Sequence, residues 1–372
     1  MREFIDGSEA ITRGALAAGC DFFAGYPITP ASGILVHMLR ELPKVGGIGI
    51  QAEDEIASMG LCIGAAMAGR KVMTATSGPG ISLYSENIGL AIMAEVPMVI
   101  VDCQRLGPAT GGATTVAQGD VQFLRWGTSG GYPIIALAPS TIPECYSLTI
   151  RAFNLAERFR LPVFIATDKE MVQTRATVEI EEYEAVEVLS RRLAPAEGEF
   201  VPYRVAELEA VPLFSPYGGP HILRLTTSTH DERGYLTKDP PQVDRLNRHL
   251  AAKVEAHREE LALVKADLQP GARTLLLSYG ITARSMVEAV ALARASGKEV
   301  SALTVLSLWP VPEKAILSAL EGVERVVVAE LNLGQYRLEV ERLACRRGIE
   351  VVGVHRVDGE LITPQEILEA VR

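Results

Sequence analysis

The stretch KVMTATSGPGISLYSENIGLAIMAEVPMVIVD, residues 71–102, decides the fold. Its opening, Lys71–Thr76, is rich in strand-forming residues and predicts a buried strand, and Gly78-Pro79-Gly80 predicts a turn. Residues 82–95 have helical spacing, and residues 97–102 predict a second strand. Because strand, helix and strand follow each other closely, the stretch predicts a βαβ unit and hence a parallel sheet.

The same alternation recurs along the chain. Residues 132–138 predict a strand, residues 141–160 a helix with Thr141 and Glu144 at capping-box spacing, and residues 162–166 a further strand. Strands this apolar need cover on both faces, so we expect an α/β fold with a doubly wound parallel sheet. Later strands are expected at 274–278, 300–305, 325–329 and 351–354, with helices at 282–296, 312–321, 334–347 and 364–371.

The length of the chain favours two domains. At 372 residues it is long for a single hydrophobic core. We expect a first domain over residues 1–180, a connecting segment over 181–270 and a second α/β domain over 271–372. The connecting segment is distinguished by clustered acids, scattered prolines and a charged helix expected over 243–268.

Composition narrows the class of protein. Hydrophobic residues make up 48% of the chain, yet no apolar run approaches the ~20 residues that span a bilayer. The amino terminus lacks the apolar core of a signal peptide, so we expect a soluble, cytoplasmic protein without membrane partners. A net charge of −10 without a basic stripe speaks against nucleic acid and favours small molecules or protein partners.

The cysteines predict neither disulfides nor a metal centre. There are five of them, an odd number, and they lie far apart in the sequence with no Cys-x-x-Cys pair. This pattern favours reduced, buried thiols. We therefore expect no zinc or iron–sulfur site and no other metal ligand on this chain.

The segment Tyr26-Pro27-Ile28-Thr29-Pro30 holds one hydroxyl between two prolines. Each proline fixes its own φ and restricts the residue before it, so Thr29 would lose little entropy on binding a ligand. The same residues also fit a plain strand-to-helix turn with Pro30 at the first helical position. The residues alone leave both interpretations open.

The segment QAEDEIASMG, residues 51–60, places three acids before an apolar helix. Acids in the first turn of a helix stabilise its dipole, and any Asp or Glu would serve. The alternative is that one glutamate points into an apolar cleft and shares a proton with a ligand nitrogen. Glu55 and Glu53 are the candidates for that role.

Five segments together resemble a known family. GYPITPAS, QAEDEIASMG, TATSGPGIS, VPMVIVDCQRLGPATG and ELNLGQ, in this order, resemble the α subunit of the 2-oxoacid:ferredoxin oxidoreductases, over nearly the whole chain. The resemblance implies a pyrimidine-binding thiamine diphosphate domain followed by a domain like the C-terminal one of transketolase. It also implies oxidative decarboxylation of a 2-oxoacid, with electrons passed to ferredoxin and the acyl group to coenzyme A.

What the chain lacks fits a division of labour between subunits. The Gly-Asp-Gly signature that holds magnesium and diphosphate in thiamine enzymes is absent, and Gly119-Asp120-Val121 is its nearest fragment. Cluster-type cysteine spacing is absent too. The resemblance therefore implies a β subunit that carries the diphosphate and Mg²⁺ site and an iron–sulfur cluster, with γ and δ subunits as further candidates. We expect activity only with the β subunit.

The resemblance also implies roles for individual residues. Thr29 would hydrogen-bond the carboxylate or carbonyl of the 2-oxoacid, and Arg105 would grip its carboxylate, although a surface ion pair would also explain Arg105. Glu55 would protonate the aminopyrimidine ring, with Glu53 as its rival. Further cofactor contacts are expected from Pro27, Ile28, Ser77 and Gly78. For Asn332 and Gln335, in ELNLGQ, we expect only a loop or subunit contact.

The substrate is predicted less sharply than the reaction. STHDERGYLTKDP, residues 228–240, most resembles the 2-oxoglutarate members, whereas the loop at 112–120 departs from their pattern. 2-Oxoglutarate is favoured, and branched-chain oxoacids and pyruvate stay open. A non-catalytic assembly or nucleotide-binding subunit with the same fold is the competing class. The joint presence of Thr29, Glu55 and Arg105 favours the enzyme.

Overall fold

A computed structural model describes residues 2–179 and 183–371 of the chain. The described part before residue 180 alternates strands and helices from the start. Its elements are β1 (Arg2–Ile5), α1 (Gly7–Ala17), β2 (Phe22–Gly25), α2 (Ser32–Glu41), β3 (Ile48–Gln51), α3 (Glu55–Met67), β4 (Val72–Thr76), α4 (Gly78–Leu83), α5 (Ser85–Met93), β5 (Met98–Gln104), α6 (Val121–Trp126), β6 (Ile135–Leu137), α7 (Ile142–Phe159), β7 (Pro162–Asp168), α8 (Lys169–Gln173) and β8 (Ala176–Glu179).

The described part after residue 182 begins with a long stretch that forms no regular element until residue 240, apart from isolated bridges. It then continues with α9 (Pro240–Glu255), α10 (Arg258–Leu261), β9 (Val264–Asp267), β10 (Thr274–Ser278), α11 (Thr282–Ala295), β11 (Val300–Val305), β12 (Ser307–Trp309), α12 (Glu313–Ala319), β13 (Arg325–Glu330), α13 (Arg337–Ala344), β14 (Glu350–His355) and α14 (Pro364–Glu369). Short 3₁₀ turns follow α2 and α13.

Among the described residues the larger sheet has seven strands in the order β12-β6-β7-β5-β4-β2-β3. All its neighbouring strands are parallel except β12, which runs antiparallel to β6. Helices α1, α2 and α7 contribute Ile11, Ile34 and Phe153 to the core on one face. Helices α3 and α5 contribute Met59 and Ile88 to the core on the other face. The predicted doubly wound parallel sheet is confirmed.

The smaller sheet of the described chain has five strands in the order β14-β13-β10-β11-β9. Its strands are parallel except β9, which runs antiparallel to β11. Helices α11 and α14 cover one face, through Met286 and Ile367, and α12 and α13 cover the other, through Ile316 and Val340. The C-terminal α/β unit expected from the sequence is therefore present.

Three local predictions were wrong. Gly78-Pro79-Gly80 is the first turn of α4 rather than a separate turn, because proline is favoured at the start of a helix. The helix expected over 82–95 is divided between α4 and α5 at Tyr84. The charged helix expected over 243–268 begins at Pro240 and ends at Glu255. Residues 264–267 instead form β9, since pairing with β11 overrides their helical pattern.

Two further findings concern β12 and the cysteines. Strand β12 was not predicted; it is a three-residue strand that joins the larger sheet although it lies beyond residue 271. Cys20, Cys62, Cys103 and Cys145 are buried as expected, whereas Cys345 is exposed, so that part of the prediction was wrong. Within residues 2–179 and 183–371, no helix is both long and apolar enough to cross a membrane.

Candidate active site at the carboxyl ends of β2, β4 and β5

The predicted site residues lie at one edge of the larger sheet. Strands β2, β4 and β5 are parallel neighbours, so their carboxyl ends meet there. The chain leaves β2 after Gly25, β4 after Thr76 and β5 after Gln104. Ligands of open α/β sheets bind at such an edge.

Arg105 holds the backbone of the Thr29 loop. Its Nη1 donates to the Thr29 carbonyl at 2.7 Å and its Nη2 to the Thr110 carbonyl at 3.0 Å. The side chain is only 6% exposed, so a surface ion pair is excluded. The Nε atom has no hydrogen-bond partner, and a guanidinium has five N–H donors. Arg105 can therefore fix this loop and still offer donors to a ligand.

Thr29 itself is half-buried, in a loop that precedes α2. Helix α2 begins at Ser32 with Ala31 as its N-cap residue. Pro30 therefore precedes the helix, and the plain turn with Pro30 at the first helical position is not what the structure has. Pro27 is exposed and Ile28 half-buried in the same loop.

Glu55 is the first residue of α3, and Asp54 caps that helix by accepting a hydrogen bond from the Ala57 amide at 2.6 Å. Only 7% of Glu55 is exposed, whereas Glu53 is exposed. Helix α4 approaches Glu55 through Gly80. A Cβ atom there would lie 2.8 Å from Glu55 Cγ and 1.9 Å from Thr76 Oγ1, so only glycine fits.

Two buried hydroxyl groups at the end of β4, Thr76 Oγ1 and Ser77 Oγ, have no hydrogen-bond partner among the described residues. Thr76 lies close to Glu55, since both contact the position of Gly80. Unpaired buried polar groups are costly, so such atoms indicate a missing ligand or water. A buried carboxyl group and two free hydroxyls fit a nitrogen-containing ring such as aminopyrimidine. Among the described residues, no group of three His, Cys, Asp or Glu side chains could hold a metal ion.

A second acidic feature of the site was missed by the sequence interpretation. Asp102, two residues before the carboxyl end of β5, is fully buried and faces the carboxyl group of Asp120. Burial, and then Asp120, raise the pKa of Asp102 well above its ordinary value, and burial raises the pKa of Asp120 to about 6. Asp120 also lies beside Gly78, where a Cβ atom would be 3.5 Å from Asp120 Oδ2. A charged residue near the end of an otherwise apolar strand was the available signal.

The segment from Gln118 to Gln122 is tied to the C-terminal unit, which gives Asn332 and Gln335 a role. Asn332 Nδ2 donates to the Gln118 carbonyl at 2.7 Å. Gln335 Nε2 donates to the Gly119 carbonyl at 2.5 Å, and Gln335 Oε1 accepts from the Gln122 amide at 2.9 Å. These two residues therefore make a contact within the chain, and the segment they hold carries Asp120.

The motif at 228–240, which favoured 2-oxoglutarate in the sequence, lies away from this site. His230 Nε2 is 3.2 Å from the Met93 carbonyl, at the end of α5. Because α5 leads into β5, this contact lies where the strands of the sheet begin, which we call the amino edge. The opposite side, where β2, β4 and β5 end, is the carboxyl edge. The structure does not bring the motif to Glu55, Thr29 and Arg105.

Comparison with solved structures defines the class. A split-gene transketolase, described as an inactive β4 tetramer, has the same fold, with a TM-score of 0.55 at 14% identity, over 99% of this chain and 97% of that one. At this identity the likeness shows the fold alone. Together with the family model for residues 13–248, described as thiamine diphosphate-binding, it defines a thiamine diphosphate-binding α/β protein.

The family follows from the sequence comparisons. The family model described as pyruvate flavodoxin/ferredoxin oxidoreductase, thiamine diphosphate-binding, matches residues 13–248. The model for pyruvate:ferredoxin oxidoreductase core domain II matches residues 272–367. The chain belongs to this family, as the sequence motifs predicted.

Individual relatives cover the whole chain. The 2-oxoglutarate synthase subunit KorA of Methanocaldococcus jannaschii is 42% identical over 99% of both chains. The ketoisovalerate oxidoreductase subunit VorB of Methanothermobacter thermautotrophicus is 35% identical over 100% of this chain and 97% of its own. The solved 2-oxoglutarate:ferredoxin oxidoreductase from Magnetococcus marinus, with 2-oxoglutarate, coenzyme A and succinyl-CoA bound, has a TM-score of 0.92 at 29% identity. It matches all of this chain, which covers 64% of the solved chain.

Proposed function

We propose that this chain is the α subunit of a thiamine diphosphate-dependent 2-oxoacid:ferredoxin oxidoreductase. The observation that carries the proposal is the buried Glu55 carboxyl group, packed against Gly80 beside the unpartnered hydroxyls of Thr76 and Ser77. Unpaired buried hydroxyls beside a buried carboxyl group support a ligand site here. Membership of the family supports the same conclusion.

For the substrate we favour 2-oxoglutarate. The support comes from the relatives named 2-oxoglutarate synthase subunit, at 42% identity over the full length, and from the 2-oxoglutarate-bound solved relative. A branched-chain 2-oxoacid is the second candidate, because the ketoisovalerate oxidoreductase subunit is 35% identical over all of this chain. Pyruvate is the third. The motif at 228–240 gives no support at the site itself, since it contacts the other edge of the sheet.

In this proposal each residue acts on a defined atom. Glu55 holds a proton at the ring nitrogen of the aminopyrimidine, and Ser77 and Gly78 line the approach to that ring. Arg105 binds the carboxylate of the 2-oxoacid with the donors that the backbone carbonyls leave free. Thr29 Oγ1 supplies a further hydrogen bond to the substrate, and Pro27 and Ile28 shape the loop that presents it. Bound thiamine diphosphate supplies the nucleophilic carbon and the electron sink of the reaction.

The remaining parts of the reaction are assigned to partners. We place the diphosphate and Mg²⁺ site and an iron–sulfur cluster on a β subunit, because this chain lacks the sequence signatures for both. Ferredoxin is the proposed electron acceptor, coenzyme A the acyl acceptor, and γ and δ subunits are compatible with the assembly. We also propose the domain division 1–180, 181–270 and 271–372, and a cytoplasmic location, which suits the free thiols.

Reconstitution tests the function. The chain would be purified alone and with the β subunit of the same organism. Each sample would then be assayed for CoA-dependent, acceptor-linked oxidation of 2-oxoglutarate, 2-oxoisovalerate and pyruvate. We expect no turnover and weak thiamine diphosphate binding by the chain alone, and turnover with highest kcat/KM for 2-oxoglutarate in the complex. Turnover by the chain alone would refute the division of labour. An inactive complex that still binds thiamine diphosphate would favour the assembly subunit.

A further inference from the structure

The acid pair formed by Asp102 and Asp120 lies inside the proposed site but has no part in the chemistry described so far. Asp102 is fully buried near the end of β5. Neither of its carboxyl oxygens accepts a hydrogen bond from an N–H or a hydroxyl, and the same holds for Asp120 Oδ2. Two carboxylates cannot face each other out of water with both charges present, so the pair must hold a proton.

The surroundings of the two acids differ, and the difference locates the proton. Burial raises the pKa of Asp120, and the hydrogen bond with Asp102 and then the charge of the Arg105 guanidinium oppose that rise. Among the described residues no cation offsets the effect of burial on Asp102, and Asp120 raises the pKa of Asp102 further. Of the other titratable groups nearby, the Cys103 thiol is neutral because burial raises its pKa, and Glu55 and Asp168 are acids at the ends of α3 and β7.

We propose that Asp102 is a neutral carboxylic acid that donates a hydrogen bond to the Asp120 carboxylate, and that this bond positions Arg105 and Thr29. Asp102 faces Asp120, and the Asp120 amide donates to Gln104 Oε1 at 3.0 Å, directly before Arg105 in the chain. Asp120 and Arg105 form no ion pair among the described residues, so Asp120 acts on Arg105 through its charge at longer range. Arg105 Nη1 in turn donates to the Thr29 carbonyl at 2.7 Å. Asp102 is thus a positioning residue for the proposed substrate loop. The effect of Asp102 on turnover rests on the proposed function. The location of the proton on Asp102 can be tested whether or not that function is correct.

The C-terminal unit holds the same acid pair in place from the other side. The Asp120 amide donates to Gln104 Oε1 at 3.0 Å. Gln335 binds the chain on both sides of Asp120, donating to the Gly119 carbonyl and accepting from the Gln122 amide. The backbone of Asp120 is therefore fixed whatever its charge, and only the carboxyl group can respond to protonation. A change in protonation would therefore alter the Asp120 carboxyl group without unfolding the loop.

Two measurements on the full-length chain test where the proton is. The carbonyl stretch of a protonated carboxylic acid lies above the amide I band in infrared spectra. Asp102→Asn removes the acid but keeps an N–H donor toward Asp120. At pH 7.5 we expect the wild-type protein to show a protonated-acid band. Asp102→Asn should lack this band, and the surface control Asp244→Asn should retain it. If that band persists in Asp102→Asn, or if wild type has none to lose, the proposal is wrong.

Thermal unfolding gives an independent test, with a definite sign. The folded chain keeps a proton that the unfolded chain releases above pH ~4, so folding loses stability as pH rises through that window. We expect the unfolding temperature of wild type to fall from pH 5 to pH 8 more steeply than that of Asp102→Asn, by roughly 2 °C per pH unit. Equal slopes in the two proteins would overturn the proposal.

Kinetics of the assembled enzyme test the positioning role. Asp102→Asn retains a donor and should keep kcat/KM within about twofold of wild type at pH 7.5, whereas Asp102→Ala should lose about tenfold or more. The wild-type rate should also fall at high pH, when Asp102 ionises, and that fall should be absent in Asp102→Asn. If the two variants lose the same activity, and the pH profiles match, Asp102 has a merely structural role.

Discussion

Two buried acids at opposite ends of β5 differ in their charge and in what they do. Glu95, just before the strand, is surrounded by cations, and Lys253 Nζ donates to its Oε2 at 2.8 Å. Burial would raise the pKa of Glu95, but Lys253, His249 and Arg160 outweigh it and hold that pKa far below the ordinary value. Among the described residues, no cation offsets the burial of Asp102, near the other end, and its pKa is raised.

The two acids therefore have different roles in the same sheet: Glu95 stabilises the fold, and Asp102 lies in the proposed site. The ionised Glu95 binds α9 to the amino edge, where the chain crosses from the larger sheet to the smaller one. The neutral Asp102 lies at the carboxyl edge opposite Thr76 of β4, whose buried hydroxyl has no hydrogen-bond partner. Glu95 Oε1 lacks a hydrogen-bond partner just as the Asp102 oxygens do, so the cations separate the two acids. A buried acid with its own cations stabilises a fold, whereas a buried acid without one is available to a ligand. The predictions below test each edge separately.

Glu55→Gln should have the largest effect and should act on the carboxyl edge alone. The amide keeps the shape of the side chain but cannot exchange a proton with a ring nitrogen. We expect turnover of the assembled enzyme, and hydrogen–deuterium exchange at the thiamine C2 position, to fall by about 10³-fold or more. The unfolding temperature should stay close to that of wild type.

Glu53→Gln is the matched control, because Glu53 lies two residues away and is exposed. It should exchange at the wild-type rate. Slow exchange in Glu53→Gln together with a normal rate in Glu55→Gln would transfer the role to Glu53.

Lys253→Met should destabilise the fold at the amino edge without changing catalysis. It leaves Glu95 buried without its main cation, a change that typically costs 3–5 kcal/mol, so we expect about that loss in the free energy of unfolding. KM and kcat of the folded fraction should be unchanged. Denaturant unfolding measures the first quantity and assays below the transition measure the second.

The double variant Glu95→Gln with Lys253→Met removes both charges and should recover part of the stability. If Lys253→Met raised KM severalfold without loss of stability, Lys253 would act on the proposed active site at the carboxyl edge. The separate roles inferred for the two edges would then be wrong.

Arg105→Ala should have a smaller effect than Glu55→Gln, because binding energy is lost but the chemistry remains. It removes a charge-assisted contact to the carboxylate that every 2-oxoacid carries, and it frees the Thr29 carbonyl. We expect kcat/KM to fall by roughly 10- to 10³-fold for 2-oxoglutarate, 2-oxoisovalerate and pyruvate alike. Arg105→Lys should recover part of this, since an ammonium keeps the charge but not the planar fork. A penalty confined to 2-oxoglutarate would mean that Arg105 reads its distal carboxylate.

Much of the fold was predictable because it rests on local patterns. The apolar runs at β4, β5 and β7 and the capping box of Thr141 and Glu144 are visible in the sequence, and the structure has all of them. The strand β12 was not predictable, because three residues carry no period and its pairing with β6 is long-range. Likewise β9 follows helical residues directly, and only its partner β11 makes it a strand.

The site was predictable only in part, for a related reason. Glu55, Thr29 and Arg105 were found through motifs, and the structure brings Thr29 and Arg105 into contact. Asp102 and Asp120 lie in the same motif-rich region, but they are 18 residues apart in sequence, and nothing in their spacing shows that they face each other. The contact of Gln335 with Gly119 spans 216 residues and depends on how the two sheets pack. Long-range pairing of polar groups follows from tertiary structure and leaves no local signature.

Thr29→Val should have the smallest effect, and it separates the hydroxyl of this residue from its backbone. Valine replaces the hydroxyl by a methyl group of nearly equal volume, and the side chain is only half-buried. Its carbonyl still accepts from Arg105, so the loop should keep its position. We therefore expect unchanged stability and thiamine diphosphate binding, with a loss of about 3- to 20-fold in kcat/KM for all three acids, which is the cost of one hydrogen bond. Thermal unfolding and the substrate panel on the assembled enzyme measure these quantities. If the variant were fully active, Arg105 alone would orient the substrate. If Thr29→Val lost stability as well, the Thr29 hydroxyl would stabilise the fold. The carboxyl edge would then resemble the amino edge, where Glu95 has that role.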